Sequence, residues 1–185
     1  MKFTLNKKQI SILLIFIGII VGISGLVYYT SLPKPAMGYN FYGSELQFRD
    51  DLKVADNISV YPDENSVLNA VWNPEIQNIS ITFINSSAED NAITAVNAFE
   101  ITYKLSVGYN EFNWLGIKFV PNIVESFENL TSSNETLTIA LIPPSVANST
   151  SVEMKDGVIY ISGETKKGFD LATIKFLMAA LNVMV

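Results

Sequence analysis

Carboxylates and lysines are the residues of this chain that could do chemistry, because its 185 residues include neither His nor Cys. Without an imidazole or a thiol there is no Ser-His or Cys-His pair, and no zinc site of the usual nitrogen and sulfur ligands. An enzyme built from this sequence would therefore use carboxylates, Lys, Tyr or a hard cation. We expect no bound cofactor.

A Ser-Lys hydrolase is one alternative that this inventory leaves open. It would need a Ser nucleophile beside a buried Lys, and only Lys104 and Lys118 fall inside predicted core elements. Their neighbours predict that both lysines face solvent, and the chain has no G-x-S-x-G nucleophile elbow. Glu100 precedes Lys104 by four residues, a spacing typical of a helical surface ion pair worth a few tenths of a kcal/mol.

Three acidic pairs are the candidate ligands for a hard cation such as calcium. They are Asp50-Asp51, Asp63-Glu64 and Glu89-Asp90. None has the D-x-[DN]-x-[DN]-G spacing of a calcium loop, so solvation and helix capping are the favoured interpretation.

One glycine-flanked loop has the spacing of a phosphate loop. Gly163 and Gly168 enclose Glu-Thr-Lys-Lys, but Phe169 and Asp170 stand where a phosphate loop requires Lys and Ser or Thr. We expect no nucleotide site there. Lys166 and Lys167 would at most form a small anion-attracting spot at a helix N-terminus.

The elements that would position these residues form a mixed α/β (α+β) domain. The alternation of Gln77–Ile84 predicts a strand, Asp90–Val107 a helix and Phe112–Val120 a second strand, which together make a right-handed βαβ unit. Within the helix, apolar residues at helical spacing predict the buried face. They are Ala92, Ala95, Val96, Phe99 and Tyr103.

The remaining elements complete a sheet of about five strands with two packed helices. Leu137–Ile142 reads as a strand buried on both faces, and Asp156-Gly157 as the turn of a hairpin within Ser151–Gly163. Weaker patterns predict a hairpin around Gly43 and a short strand at Asn57–Tyr61. A last helix over Phe169–Val183 should bury five apolar side chains, namely Leu171, Ile174, Leu177, Met178 and Leu181.

An apolar segment precedes this domain. Residues 10–29 carry no charge, and thirteen of the twenty are Ile, Leu, Val or Phe, enough to span a bilayer as a helix. Lys2, Lys7 and Lys8 precede it, so the positive-inside rule places residues 1–9 in the cytoplasm. We expect a single-pass anchor at 10–29, a Pro-containing spacer at 30–38 and an extracytoplasmic domain at 39–185.

Other interpretations of the apolar segment stay open. A cleaved signal peptide would have a shorter apolar region. Lys7-Lys8-Gln9 is similar to an archaeal prepilin signal, although Lys8 stands where that signal has a small residue, and a pilin-like filament subunit is the second functional hypothesis. Gly18 and Gly22 form a G-x-x-x-G pair that could support a homodimer through the membrane helix.

Charge and sequons fit a domain outside the cell. All eighteen Asp and Glu lie beyond residue 29, against nine Lys and Arg, and such an acidic surface disfavours nucleic acid. Six Asn-x-Ser/Thr sequons lie in the same region. We expect glycosylation at Asn57, Asn85, Asn129, Asn134 and Asn148, but not at Asn78, which adjoins a predicted strand.

Several short motifs suggest a relationship. They are Leu46–Leu52 (LQFRDDL), Val60-Tyr61-Pro62, Asn78–Ile81 (NISI), Phe99–Leu105 (FEITYKL) and the closing GFDLATIKFLMAALNVM. Through them the chain resembles small archaeal membrane-anchored proteins of no known function. The resemblance implies a cell-envelope protein and brings no activity with it. Our leading hypothesis is a non-enzymatic envelope domain that binds or supports an envelope protein or a glycan.

Overall fold

The structure, a computed structural model, describes residues 37–112 and 116–183. The predicted anchor at 10–29, its Gly18/Gly22 pair and the cytoplasmic segment 1–9 lie outside the described residues. Among the residues that are described, no helix combines the length and the apolar character that a membrane span requires.

The described residues form a mixed α/β domain of one six-stranded sheet, a separate two-stranded hairpin and four helices. The strands are β1 (Met37–Phe41), β2 (Ser44–Phe48), β3 (Ser59–Tyr61), β4 (Asn78–Ile84), β5 (Lys118–Val124), β6 (Thr136–Ile142), β7 (Ser151–Lys155) and β8 (Val158–Ser162). The helices are α1 (Leu52–Ala55), α2 (Glu64–Val71), α3 (Ala88–Glu111) and α4 (Lys166–Leu181).

The large sheet has the strand order β3-β7-β8-β6-β4-β5. Among the described residues, its only antiparallel pairing is between β7 and β8, which are joined by the predicted Asp156-Gly157 turn. Both turn residues have positive φ (51° and 77°), as a two-residue hairpin turn requires. Strand β6 pairs in parallel with β4 and β8 and is buried along its whole middle, which confirms the prediction of a strand covered on both faces.

The predicted βαβ unit is confirmed as β4, α3 and β5, with β4 and β5 paired in parallel over seven residues. Its inner boundaries were wrong. The helix begins at Ala88, two residues before the predicted Asp90, because the Ser87 side chain caps it by accepting a hydrogen bond from the Asp90 backbone N–H. The helix continues to Glu111, so the next strand begins at Lys118 and not at Phe112.

Helix α4 is the centre of the packing. The five apolar residues predicted to be buried are all buried, as are most residues on its remaining faces. It contacts α1, α2 and α3 as well as β7 and β8, so other elements pack on several sides of this helix. The helix begins at Lys166, three residues before the predicted Phe169, because the Thr165 side chain caps it by accepting a hydrogen bond from the Gly168 N–H.

Two short helices were not predicted. Asp51 caps α1 by accepting from the Lys53 N–H, and Asp63 caps α2 by accepting from the Ser66 N–H and hydroxyl. These helices hold the carboxylates of Asp56 and Glu64 2.7 and 2.6 Å from the buried ammonium of Lys175 on α4.

Candidate functional site

Helix α3 is rotated relative to the sequence prediction. The five residues predicted to face the core are all exposed, and the helix instead buries a face that is mostly polar. The buried residues are Asp90, Thr94, Asn97, Glu100, Ile101, Lys104, Leu105, Gly108 and Tyr109. Lys104, predicted to face solvent, is only 3% exposed, whereas Lys118 lies on the surface as expected.

The rotation is explained by a network of charges beneath the helix. Glu100 accepts one hydrogen bond from Lys104 Nζ at 2.7 Å and another from Arg49, which follows β2. The same guanidinium donates to Asn97 Oδ1 at 2.7 Å and to Asp170 Oδ1 on α4 at 2.9 Å. A buried charge is tolerated only where partners surround it, and all of these partners lie on the inner side of α3.

The network perturbs the ionisation of its members. Burial lowers the pKa of Lys104, and the hydrogen bond and charge of Glu100 offset only part of that effect. The Lys104 ammonium also lies 4.7 Å from the centre of the Phe48 ring, a cation–π contact. Burial likewise raises the pKa of Asp170, with Arg49 acting in the opposite direction. Because each charge is paired, the cluster fixes one orientation of α3 rather than presenting a free acid or base.

The consequence is an exposed apolar stripe, which we call the α3 outer face, formed by Ala92, Ala95, Val96, Phe99 and Tyr103. Phe99 is 71% exposed, Tyr103 52% and Val96 43%. The two aromatic rings stack at 6.1 Å with an interplanar angle of 10°.

The α3 outer face is also uncharged. Between Asp90 and Glu111 the only charged residues are Glu100 and Lys104, and both are buried. At about 1.5 Å per residue this uncharged surface is roughly 30 Å long. The apolar residues of the outer face, from Ala92 to Tyr103, cover about 16 Å of this length. An exposed apolar patch rimmed by polar residues is typical of a surface used for association.

A second surface feature is an open cleft of about 840 Å³ beside the large sheet. Tyr160 and Ile142 of the sheet contribute to it, together with the loops that follow β5 and β6. Its acidic lining comes from Glu125, Glu128, Glu153 and Asp156. Among the residues described, no three Asp or Glu are grouped so that they could hold a metal ion.

The predicted glycosylation sites all lie on the surface. Asn57, Asn85, Asn129, Asn134 and Asn148 are exposed, and Asn129 and Asn148 line the acidic cleft. Asn78 is only half-exposed, and its backbone N–H donates to the carbonyl of Glu135 at the start of β4.

The acidic pairs cap helices or form ion pairs in the structure. Beyond the caps at Asp51 and Asp63, Asp90 is buried in the first turn of α3 and accepts from the Ser86 hydroxyl at 3.1 Å. Glu89 pairs with Lys166 at the surface, and Asp50 lies 4.0 Å from Lys167. The two lysines of the glycine-flanked loop therefore face carboxylates.

Gly163 in that loop has a packing role. A Cβ atom built there would lie 2.2 Å from the backbone nitrogen of Phe169, so only glycine allows α4 to begin so close to β8.

Comparison with models of known protein families, with characterised proteins and with solved structures gave no match.

Proposed function

We propose that this protein is a single-pass, membrane-anchored envelope domain that acts by association rather than by catalysis, and that the α3 outer face is its contact surface. The anchor at 10–29, the lysines before it and the acidic, sequon-rich region after it support the location. Association through this face is supported by the orientation of α3, which buries Glu100 and Lys104 and exposes Phe99 and Tyr103.

Burial of the α3 outer face against a partner would be energetically favourable. Apolar surface removed from water contributes about 25 cal/mol per Å², so a rigid stripe of two stacked rings flanked by alanines gains from any apolar partner. The ring stack is already ordered, which lowers the entropy lost on binding. The charge network keeps the domain from burying the stripe itself, since turning α3 inward would carry Glu100 and Lys104 to the outside and separate Glu100 from Arg49.

Cysteine labelling in the native membrane tests whether this surface is occupied. The chain has no Cys, so the single variants Phe99→Cys and Val146→Cys can be compared directly in the full-length protein. In the isolated chain position 99 is more exposed than position 146, at 71% against 40%. We expect the order of maleimide labelling rates to be reversed in membranes, with F99C protected. Faster labelling of F99C than of V146C in membranes would refute the proposed contact surface.

The membrane topology is tested with two further single-cysteine variants. A membrane-impermeant maleimide should label Asn134→Cys on intact cells and Asn6→Cys only after permeabilisation. Labelling of N6C on intact cells, or protection of N134C, would contradict the proposed orientation.

A further inference from the structure

We propose that the partner of the α3 outer face is a second copy of this chain, bound through an antiparallel pair of α3 helices. This inference rests on the proposed function, since it names the occupant of the same surface. It differs from pairing through Gly18 and Gly22, because the contact lies in the domain and not in the membrane.

Residue spacing on the outer face suits a helix pair. Ala92, Val96, Phe99, Tyr103 and Ser106 follow one another at intervals of four, three, four and three residues, the spacing of a coiled-coil seam. A two-fold interface requires that residue i of one copy meets residue j of the other and that j meets i. An axis midway between residues 97 and 98 satisfies this condition for the four residues from Ala92 to Tyr103, and it sets Ser106 opposite Glu89 of the second copy.

The sizes of the seam residues favour the antiparallel direction. In that arrangement Ala92 lies opposite Tyr103 of the second copy, and Val96 lies opposite Phe99. Each large ring therefore meets a small side chain, as close packing requires. A parallel pair would set Tyr103 against Tyr103 and leave a gap between two copies of Ala92.

The charged residues at the ends of the outer face also favour the antiparallel arrangement of the two helices. Glu89, with the Lys166 ammonium bonded to it, lies at the N-terminal end of the stripe, and Glu111 lies at the C-terminal end. With the axis between residues 97 and 98, an antiparallel pair sets Glu89 opposite Ser106 of the second copy and Glu111 beyond the N-terminus of its α3. No two carboxylates then face each other, and the helix dipoles are opposed. A parallel pair would bring Glu111 against Glu111.

The size of the surface predicts a weak dimer that depends on the membrane. From their exposed fractions, Phe99 and Tyr103 together offer roughly 250 Å² per copy. A stable interface buries about 800 Å² on each partner. Two chains anchored in one membrane meet at a much higher effective concentration than in solution, which compensates for a small contact. Dimer formation should therefore rise with the surface density of the protein.

Disulfide cross-linking of the full chain in phospholipid vesicles tests the arrangement. Val96→Cys lies beside the proposed axis and should form a covalent dimer on oxidation. Ala92→Cys alone and Tyr103→Cys alone should not, because each lies about 16 Å along the helix from its own copy. The A92C and Y103C variants reconstituted together in the same vesicles should cross-link, since those positions face each other. Val146→Cys, exposed and off the stripe, is the control for random collision.

The outcomes separate this inference from the proposed function. Cross-linking of A92C alone, without a band in the A92C and Y103C mixture, would overturn the antiparallel pair in favour of a parallel one. Absence of cross-links above the V146C control in every variant would refute the homodimer. If F99C were still protected from maleimide in that case, the contact surface would stand with lipid or another protein as its occupant. If F99C were labelled freely, both proposals would fail. Phe99→Glu in the V96C background should abolish the dimer band while leaving the circular dichroism spectrum unchanged.

Discussion

Lys104 Nζ lies 2.7 Å from Glu100 Oε1, and both side chains are almost completely buried, at 3% and 5% exposure. The two residues stand four apart on α3, the spacing of an ordinary surface ion pair. Here the pair lies against Phe48 and Arg49 on the inner side of the helix. It thereby determines which face of α3 meets the core and which face meets the surroundings.

Removing one member of the pair should destabilise the domain strongly. Glu100→Leu leaves the Lys104 ammonium buried without a carboxylate, which costs about 3–5 kcal/mol in the free energy of unfolding. Lys104→Met should cost less, because Arg49 still pairs with Glu100. Urea denaturation of each variant measures both values.

The double variant E100L/K104M tests whether the two residues act as a pair. It should lose less stability than the sum of the single losses, since no unpaired charge of this pair remains buried. Strict additivity in the double-mutant cycle would show that the two side chains are energetically independent and would contradict their role in orienting α3.

Substitutions on opposite faces of α3 should change the free energy of unfolding by very different amounts. Ile101→Ala removes a fully buried side chain and should cost about 2–5 kcal/mol. Phe99→Ser changes a side chain that is mostly exposed and should alter stability by no more than about 0.5 kcal/mol. Thermal and urea unfolding of the two variants gives the comparison, and a large loss for F99S would mean that the ring is buried after all.

The sequence could predict the βαβ unit, the buried strand β6 and the Asp156-Gly157 hairpin, because each has a strong local signal. It could not predict the orientation of α3. Two stripes compete on that helix, one through Val96, Phe99 and Tyr103 and another through Ile101 and Leu105. Apolar content favours the first stripe, and only tertiary partners for Glu100 and Lys104 select the second. Arg49, fifty-one residues before Glu100, gives no local sign of that role.

The two missed helices have a similar explanation. Four residues in α1 and eight in α2 are too few for an apolar period to stand out, and such short helices depend on tertiary packing. The sequence features that could have indicated these helices are the capping residues Asp51 and Asp63. Each is followed by an apolar residue that the helix buries, Leu52 in α1 and Val67 in α2.

We expect glycans at the exposed sequons but not at the sequon that begins a strand of the large sheet. Asn57, Asn85, Asn129, Asn134 and Asn148 have exposed side chains that a glycan can extend from without displacing neighbours. Asn78 opens β4, which is paired on both sides, so we expect no glycan there. Glycopeptide mass spectrometry of protein from its native host, with Asn→Gln variants as controls, measures each site. Full occupancy at Asn78 would contradict the placement of β4.

Alkaline pH should reveal the buried phenol of Tyr109. Its hydroxyl donates to the Val71 carbonyl at 2.6 Å, and burial raises the pKa of Tyr109 above its ordinary value of 10.0. Above pH 10 the unfolded chain releases this proton, whereas the folded domain retains it. The contribution of Tyr109 to the free energy of unfolding is therefore complete below pH 10 and falls by about 1.4 kcal/mol per pH unit above it.

The variant Tyr109→Phe should be about 1 kcal/mol less stable than the wild type at pH 8, since it lacks the hydrogen bond, but it should not lose stability through this ionisation at alkaline pH. The lowered pKa of Lys104 acts in the opposite direction, but it is common to both proteins and cancels in their difference. Urea titrations from pH 8 to 11 should therefore show that the stability difference between the wild type and Y109F shrinks as the pH rises. A constant difference would mean that the phenol ionises as readily in the folded domain as in the unfolded chain.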